Sequence, residues 1–483
     1  VHCVMSRTVI AACAVVLAGC ATHVPQVLSP QIVPKSFIGQ EAGQDSVWPQ
    51  ADWWQQFASP ELSGFIGAAQ ADNRDLAVAA ARVLEAHAQT VIQRAALFPQ
   101  FNLQAQGQRS GSGSTQLSNF GNSPTGNAFG LTLGASYEVD VWGLARSNLR
   151  SATESLKSAR FARQAVTLAV TANVANSYFS VLALRKRIAI ANEDIAAING
   201  ILKTIELRVA TGTSSHLDLA QERAQVESVE AQLPVLEEQE LEARLALSVL
   251  LGQTPESLEV RTASLEGIRL PLANPGLPSD LLLRRPDVAQ AEANLASAHA
   301  NLDAARAAFL PQFALSGSDG FASAAIGALL HGPSVAWDYG GSVLQTVFDG
   351  GKLIGQKKLA EGTQQELIAS YQSAVLNAYA DVEAALGQVR NNSHAEEHLR
   401  HEIDAAQEAF QIAQLQYRQG TTDLLTVLQS QQTLFSAEDQ LVQITLARMQ
   451  AVVHLYEALG GGWLEQPGER TQFTPPPLAA TVR

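Results

Sequence analysis

Ala95-Ala96-Leu97-Phe98-Pro99-Gln100-Phe101 returns later in the chain as Ala307-Ala308-Phe309-Leu310-Pro311-Gln312-Phe313. Gly212-Thr213, set inside a helical pattern, is matched by Gly420-Thr421, and Leu250-Leu251-Gly252 by Ala458-Leu459-Gly460. The offset is about 212 residues at the first match and about 208 at the others, so the landmarks keep their order. Solenoid units repeat every 20–50 residues or so. A period this long implies instead a whole sub-structure present twice, arranged about an axis of internal pseudo-symmetry.

Both copies carry alternating segments. Phe101, Leu103 and Ala105 interleave with Gln100, Asn102, Gln104 and Gln106. Phe129, Leu131, Leu133, Ala135, Tyr137, Val139 and Val141 share one face, with Thr132, Ser136, Glu138 and Asp140 on the other. A period of two with one apolar face predicts half-buried strands. Ser110 to Gly126 between them is rich in Gly, Ser and Asn and reads as an exposed loop. In the second copy Phe313, Leu315 and Gly317 lead through a Gly/Ala/Ser connection to Val335, Trp337, Tyr339, Gly341 and Val343. The result is two hairpins. Strands of about ten residues with a polar opposite face suit a transmembrane barrel with a wet lumen. Four strands cannot close such a barrel and open edges do not survive in lipid, so several copies must share one. Two copies give eight strands and three give twelve.

Between the strands lie very long helical patterns. Residues 144–208 and 352–418 contain no Pro and are rich in Ala, Leu, Gln and charged residues. At about 1.5 Å per residue each spans roughly 100 Å. Each meets a short break at Gly212 or Gly420 and is expected to return as one helix of about 38 residues, an αα-hairpin. Helices over 61–97 and 286–310 are expected upstream of each first strand. Small residues at helical spacing, such as Ala165, Ala169, Ala172 and Ala175, allow neighbouring helices to approach closely and form a curved wall. A plain helical bundle is the alternative. The strand hairpins argue against it.

Met5-Ser6-Arg7 followed by the apolar run Thr8–Leu17 suits a signal peptide and is too short for a spanning helix, which needs about 20 residues. It ends in Leu17-Ala18-Gly19-Cys20, a small-residue-then-Cys pattern resembling a lipoprotein cleavage box. Cys20 is therefore the expected lipidation site, with Val1 or Met5 as the start. Cys3, Cys13 and Cys20 are the only cysteines, leaving no disulfide scaffold and no thiolate metal site beyond Cys20. No later unbroken run of 18 apolar residues exists, so no helix is expected to span a membrane. A formal charge of −14 argues against nucleic acid as a partner.

Leu281-Leu282-Leu283-Arg284-Arg285-Pro286-Asp287-Val288, followed by Ala291-Glu292 and Leu295, resembles the signature of the outer-membrane factors of tripartite efflux pumps. The likeness is to the TolC-like family in its NodT-type lipoprotein branch. The turns at Pro99 and Pro311 match, as do Tyr137-Glu138-Val139-Asp140-Val141-Trp142-Gly143, Phe348-Asp349-Gly350-Gly351 and the Tyr417-x-x-Gly420-Thr421 tip. The resemblance covers about Trp53 to Leu464. It implies an α+β membrane protein: a homotrimer with a twelve-stranded transmembrane β-barrel continuous with a twelve-helix periplasmic α-barrel. It selects three copies over two. The implied division is a signal peptide over 1–19 and a lipidated N-terminal segment and collar over 20–60. The first repeat covers 61–252, with a β-hairpin at 99–142. A collar linker over 253–285 leads to the second repeat over 286–460, with its hairpin at 311–349. Residues 461–483 form the C-terminal collar and a disordered tail.

The family's helical tips meet a periplasmic adaptor, which serves an inner-membrane pump of the resistance-nodulation-division type. Here the matching tips are Val209-Ala210-Thr211-Gly212-Thr213 and Tyr417-Arg418-Gln419-Gly420-Thr421. The family also closes its tunnel with a polar network and often a carboxylate ring. Asp218 and Tyr417 match that network, whereas Thr426 and Gln429 stand at its usual acidic positions. This departure leaves rings of Asp218 or Asp423 as the candidate constriction. The resemblance thus implies a passive duct in the outer membrane, extending into the periplasm and exporting drugs or other toxic small molecules. A periplasmic coiled-coil lipoprotein scaffold or adaptor without a pore is the alternative, but an adaptor should carry a lipoyl-like domain and lack two amphipathic hairpins.

His394-Ala395-Glu396-Glu397-His398 fits H-x-x-E-H, with His401 nearly on the same helical face. Histidines spaced i, i+4 can chelate zinc. Here Arg390, Asn391, Asn392 and Arg400 interleave, and a solvated helix face is the expected role. The chain shows no P-loop, no G-x-S-x-G and no Gly-rich dinucleotide fingerprint, so neither an enzyme nor a cofactor is expected.

Overall fold

The alternating segments form strands β1 (Gln100–Gly111), β2 (Thr125–Val139), β3 (Gln312–Ser323) and β4 (Val335–Leu344), joined in one antiparallel sheet in the order β1-β2-β3-β4. The computed structural model describes residues 34, 36–38, 47–111, 125–271 and 278–464. Cys20, most of the Gly/Ser-rich loop between β1 and β2, and the C-terminal tail lie outside the described residues. Register pairs apolar with apolar: Leu103 stands opposite Leu133, Leu131 opposite Phe321, and Phe313 opposite Val343. Because paired residues share a face, every apolar stripe falls on the same side of the sheet. β2 ends at Val139, so Val141 lies beyond the strand, in the turn towards the next helix.

Among the described residues the longer helices are α1 (Pro60–Asp72), α2 (Arg74–Ala95), α3 (Leu144–Ala210), α4 (His216–Glu230), α5 (Leu233–Leu250), α6 (Pro286–Ala307), α7 (Lys352–Gln419) and α8 (Leu424–Ala458). Two expected helices are interrupted. The upstream helix over 61–97 breaks at Asn73, whose backbone is extended. Its Oδ1 accepts from the N–H groups of Asp75 and Leu76 to cap α2, while its Nδ2 donates to Leu250 O at 2.8 Å. One amide therefore starts one helix and closes the end of another. The returning helix of the first half breaks at Ala231–Gln232, because Pro234 cannot donate to the preceding turn.

Each long helix begins with the same device. Asp140 accepts from the backbone N–H groups of Ala145 and Arg146 and pairs with the Arg146 side chain at 2.9 Å. Asp349 likewise accepts from Gly351 N and Leu353 N ahead of α7. In both places a carboxylate satisfies the free donors of a helix start, where the helix dipole also favours negative charge.

The core lies midway along the long helices. Trp53, Phe57, Tyr178, Phe179 and Tyr456 pack together, with Trp53 stacked on Tyr456 at 5.2 Å between ring centres. An 18-residue stretch of α3 has mean hydropathy 1.3, and half of it is buried. By average, then, α3 is more apolar than the search for unbroken runs indicated. Its Val and Ala side chains pack against α1, α5 and α8. Residues 258–270 cross this region without ladder partners of their own. Glu61 accepts from the N–H groups of Arg261 and Thr262, and Arg185 donates to Val260 O and Thr262 O. Charged side chains do there what a strand partner would do elsewhere. Arg285 makes a second joint, reaching Asp287, Asp381 and Ala458 O at once.

Gly460, at φ +86°, sits where an added Cβ would overlap the Arg284 carbonyl oxygen, whereas Gly212, at φ +73°, faces open space. Left-handed backbone costs a non-glycine residue about 1–2 kcal/mol in either place. Gly460→Ala should therefore lower the thermal midpoint of the detergent-solubilised protein well below that of Gly212→Ala. Equal midpoints would remove the close approach at Arg284 as the reason for Gly460.

Candidate functional site: an open-edged sheet and two helical tips

One end of the molecule presents apolar surface where a soluble protein would not. Leu103 is 72% exposed and Trp337 is 69% exposed, and Phe101, Leu315, Tyr339 and Val343 on the same face are also exposed. The opposite face carries Asn102, Gln104, Gln106, Thr132, Ser136 and Ser316. Arg109 and Asp319 are the charged residues on the apolar face of the four strands. Among the described residues β1 and β4 each pair on one side only, which leaves their outer backbone donors and acceptors without ladder partners there. Such a sheet can divide lipid from water once its edges are closed.

At the other end the two hairpin turns lie side by side. The Arg208 guanidinium sits over the Tyr417 ring at 4.7 Å and reaches the Tyr417 and Arg418 carbonyl oxygens. Thr213 N donates to Arg208 O and Thr421 N to Gln416 O, while Gly212 and Gly420 take positive φ in both turns. The Oγ1 atoms of Thr213 and Thr421 donate to those same two carbonyls. These matched bonds explain the Gly-Thr pairs: glycine turns the chain and threonine closes the last carbonyls. Val209 and Ala210 end α3, and Arg418 and Gln419 end α7. Arg208 was not singled out in the sequence. Its signal was position alone, four residues before Gly212.

Asp218 and Asp423 open the returning helices. Asp218 forms a capping box with Ser215 and also accepts from the Ser214 hydroxyl at 2.8 Å. The Ser215 N–H and the Ser214 hydroxyl hold its carboxyl below the ordinary range. Asp423 accepts from both the hydroxyl and the N–H of Thr426, which lower its pKa likewise. Both therefore stay charged at neutral pH. Gln429 lies exposed farther along α8, and its carbonyl accepts from the Thr433 hydroxyl. The Tyr417 hydroxyl is buried without a partner among the described residues.

His394, His398 and His401 are exposed along α7. Glu397 is exposed as well, but Glu396 turns inward and joins Arg400 and Arg448, each at 2.7 Å. That carboxylate ties α7 to α8. Among the described residues no group of three or more His, Cys, Asp or Glu is placed to hold a metal.

The Outer membrane efflux protein family model matches residues 65–253 and 277–461. The pyoverdine export outer membrane protein OpmQ of Pseudomonas putida is 39% identical over 451 residues, covering 92% of this chain and 95% of its own. The cation efflux system protein CusC of Escherichia coli is 31% identical, covering 93% and 97%. Among solved structures, the outer-membrane channel OprN superposes with a TM-score of 0.83 at 27% identity, over 91% of this chain and 99% of its own. The open state of the MtrE channel of Neisseria gonorrhoeae gives 0.82 at 29% identity, over 92% and 98%. Similar to these proteins from the apolar sheet to the helical tips, the chain belongs to the outer membrane efflux protein family and is a TolC-like outer-membrane channel of a tripartite efflux system, extending into the periplasm.

Proposed function

We propose that three copies assemble as a passive duct, each giving four strands to a twelve-stranded barrel and its helices to a twelve-helix tunnel. The observation that carries this reading is the sheet with one apolar face and two unpaired edges. Pairing β4 of one copy with β1 of the next closes the ring and leaves no backbone group unmatched in lipid. The two halves of the chain, 61–252 and 286–460, are a pseudo-two-fold repeat that doubles three copies into six-fold order. The described parts of segments 20–60, 253–285 and 461–475 collar the tunnel.

The tips Val209–Thr213 and Tyr417–Thr421 dock the hairpins of a periplasmic adaptor, which joins the duct to an inner-membrane pump of the resistance-nodulation-division type. Asp218, Tyr417, Asp423, Thr426 and Gln429 form the polar constriction. Cys20 carries lipid and anchors the mature N-terminus in the outer membrane. Relatives 31 to 39% identical are named for pyoverdine, cations or toluene. One scaffold therefore serves cargoes of unlike chemistry, in keeping with a wide aqueous path and selection by the pump.

Placing Arg at Leu103, on the apolar face, should destabilise the inserted barrel by about 2–4 kcal/mol, while Gln104→Arg on the polar face should cost much less. Detergent-resistant trimer on native mass measurement is the readout, and equal losses for the two variants would contradict the assigned faces. A stable monomer with full strand content would defeat the assembly itself.

Gly212 and Gly420 project into open space, so a glutamate there costs the fold little beyond backbone strain of about 1–2 kcal/mol. It would nonetheless intrude where a partner hairpin approaches end to end. Gly420→Glu and Gly212→Glu should leave trimer abundance near normal and abolish export, read as drug accumulation in cells. Normal export from either variant would mean that the adaptor docks elsewhere.

A further inference from the structure

Glu222 is 0% exposed, and neither of its carboxylate oxygens has a hydrogen-bond partner among the described residues. It belongs to the inner stripe of α4 with Val226 and Val229, which packs on Ile198 of α3. Asp194 takes the equivalent place on α3, buried between Ile190 and Ile198. Gln431 is buried between Val427 and Leu434 on α8 and donates Nε2 to Asp194 Oδ1 at 3.0 Å. Its own Oε1 is buried without a partner. Three helices, drawn from both hairpins, thus place polar groups within otherwise aliphatic stripes.

Among the described residues no cation forms an ion pair with Asp194 or Glu222. On α8, Glu438 adds negative charge near Asp194, and Asp439 is taken by Arg187 at 2.6 Å. On α3, Glu193 adds negative charge near Glu438, Lys186 offsets part of it while pairing with Glu266, and Lys203 is exposed. On α4, Arg223 pairs with Glu206 of α3. A buried carboxylate with neither cation nor donor is neutralised rather than left charged.

We propose that Asp194 and Glu222 form a proton-binding site inside the helical wall, which fastens α4 and α8 onto α3 when protonated and loosens that seam when empty. Burial pushes Asp194 up to about 7 against the hydrogen bond from Gln431, with Glu438 adding to the rise. Burial, followed by the charge of Asp194, pushes Glu222 up to about 7 as well. Both values are raised in the packed form, so the packed seam is fully favoured below the ordinary carboxylate range. It loses ground as pH rises, by up to tenfold per pH unit per group, until about 7, and changes no further above that. Asp194 lies 16 residues before Ala210, roughly 24 Å from the tip along α3, and Glu222 six residues into α4, roughly 9 Å from its start. Control of the tip by compartment pH follows from this site and rests on the channel reading above; the proton site itself does not.

The test is hydrogen exchange on the full-length protein in detergent at pH 5, 6, 7 and 8, run beside Glu222→Gln and the double variant Asp194→Asn/Glu222→Gln. Dividing wild-type by variant rates at each pH removes the intrinsic pH dependence of exchange. Within 190–202, 219–229 and 427–434 the ratio of wild type to double variant should already exceed one at pH 5, rise at least tenfold further by pH 7 and then level off. An infrared protonated-carboxyl band should titrate over the same range and shrink in Glu222→Gln. Asp194→Asn/Glu222→Leu, which removes both titrating carboxyls and fills the Glu222 position with an apolar side chain, should stay protected at every pH. A flat ratio from pH 5 to 8 would overturn the proposal. So would wild-type protection restored at pH 8 by Ca2+ with no titrating carboxyl band, since a cation would then neutralise the pair. None of these readouts depends on export, so a failed site and a failed channel reading give different results.

Discussion

Every backbone N–H and C=O that enters lipid must find a partner, and the proposed assembly follows from that condition. The four strands satisfy one another internally, and among the described residues the outer sides of β1 and β4 have no ladder partner. The apolar stripe across Leu103, Leu133, Leu315 and Val343 makes the same demand from the side-chain direction, since water does not tolerate it as a free surface. The long helices answer the opposite problem. A helix satisfies its own backbone over any length, so α3 and α7 can leave the sheet and cross a wide aqueous space without lateral ladder partners. Asp140 and Asp349 stand where one solution gives way to the other, and both use a carboxylate to satisfy the helix start.

Between sheet and tips the molecule has a fixed waist. Aromatic stacking around Trp53 and Tyr456 supplies apolar burial, while Glu61, Asn73, Arg185 and Arg285 bind backbone that has no regular partner. Such side chains act as local substitutes for secondary structure, meeting backbone groups through hydrogen bonds. Arg285 and Asp287 belong to the Leu281–Val288 signature, so that motif marks a structural joint rather than a reactive centre.

The duplicated Pro-Gln-Phe turns, the period-two strands and the Gly-Thr tips were legible because each follows from local chemistry. Alternation reports one wet face, and glycine before threonine reports a left-handed turn whose carbonyls need closing. Asn73 was not legible as a helix break, because its second function, binding Leu250 O, joins residues 177 apart. The interruption at Ala231–Gln232 was signalled by Pro234 but lost within a long apolar period. The H-x-x-E-H pattern read ambiguously in sequence, since periodicity does not say which of Glu396 and Glu397 turns inward. The structure buries Glu396 against Arg448. Asp194 and Glu222 were invisible for a similar reason. Each is an ordinary charged residue on a helix until three helices are assembled around it.

The seam between the two hairpins changes character along its length. Ser180, Arg187, Asp194 and Arg208 on α3 meet Gln450, Asp439, Gln431 and Tyr417 in turn. These α3 positions fall at multiples of seven residues, the spacing that keeps one helix face turned towards a neighbour. Close to the waist the seam runs beside the aromatic core, and beyond it polar contacts take over. Apolar packing loses its contacts gradually when helices slide, whereas a hydrogen bond or ion pair is either made or broken. A seam held at discrete polar points therefore has few stable settings, and it is weakest where apolar burial is least. The gradient places rigidity at the waist, where the chain must hold its sheet in register, and leaves adjustment to the tips.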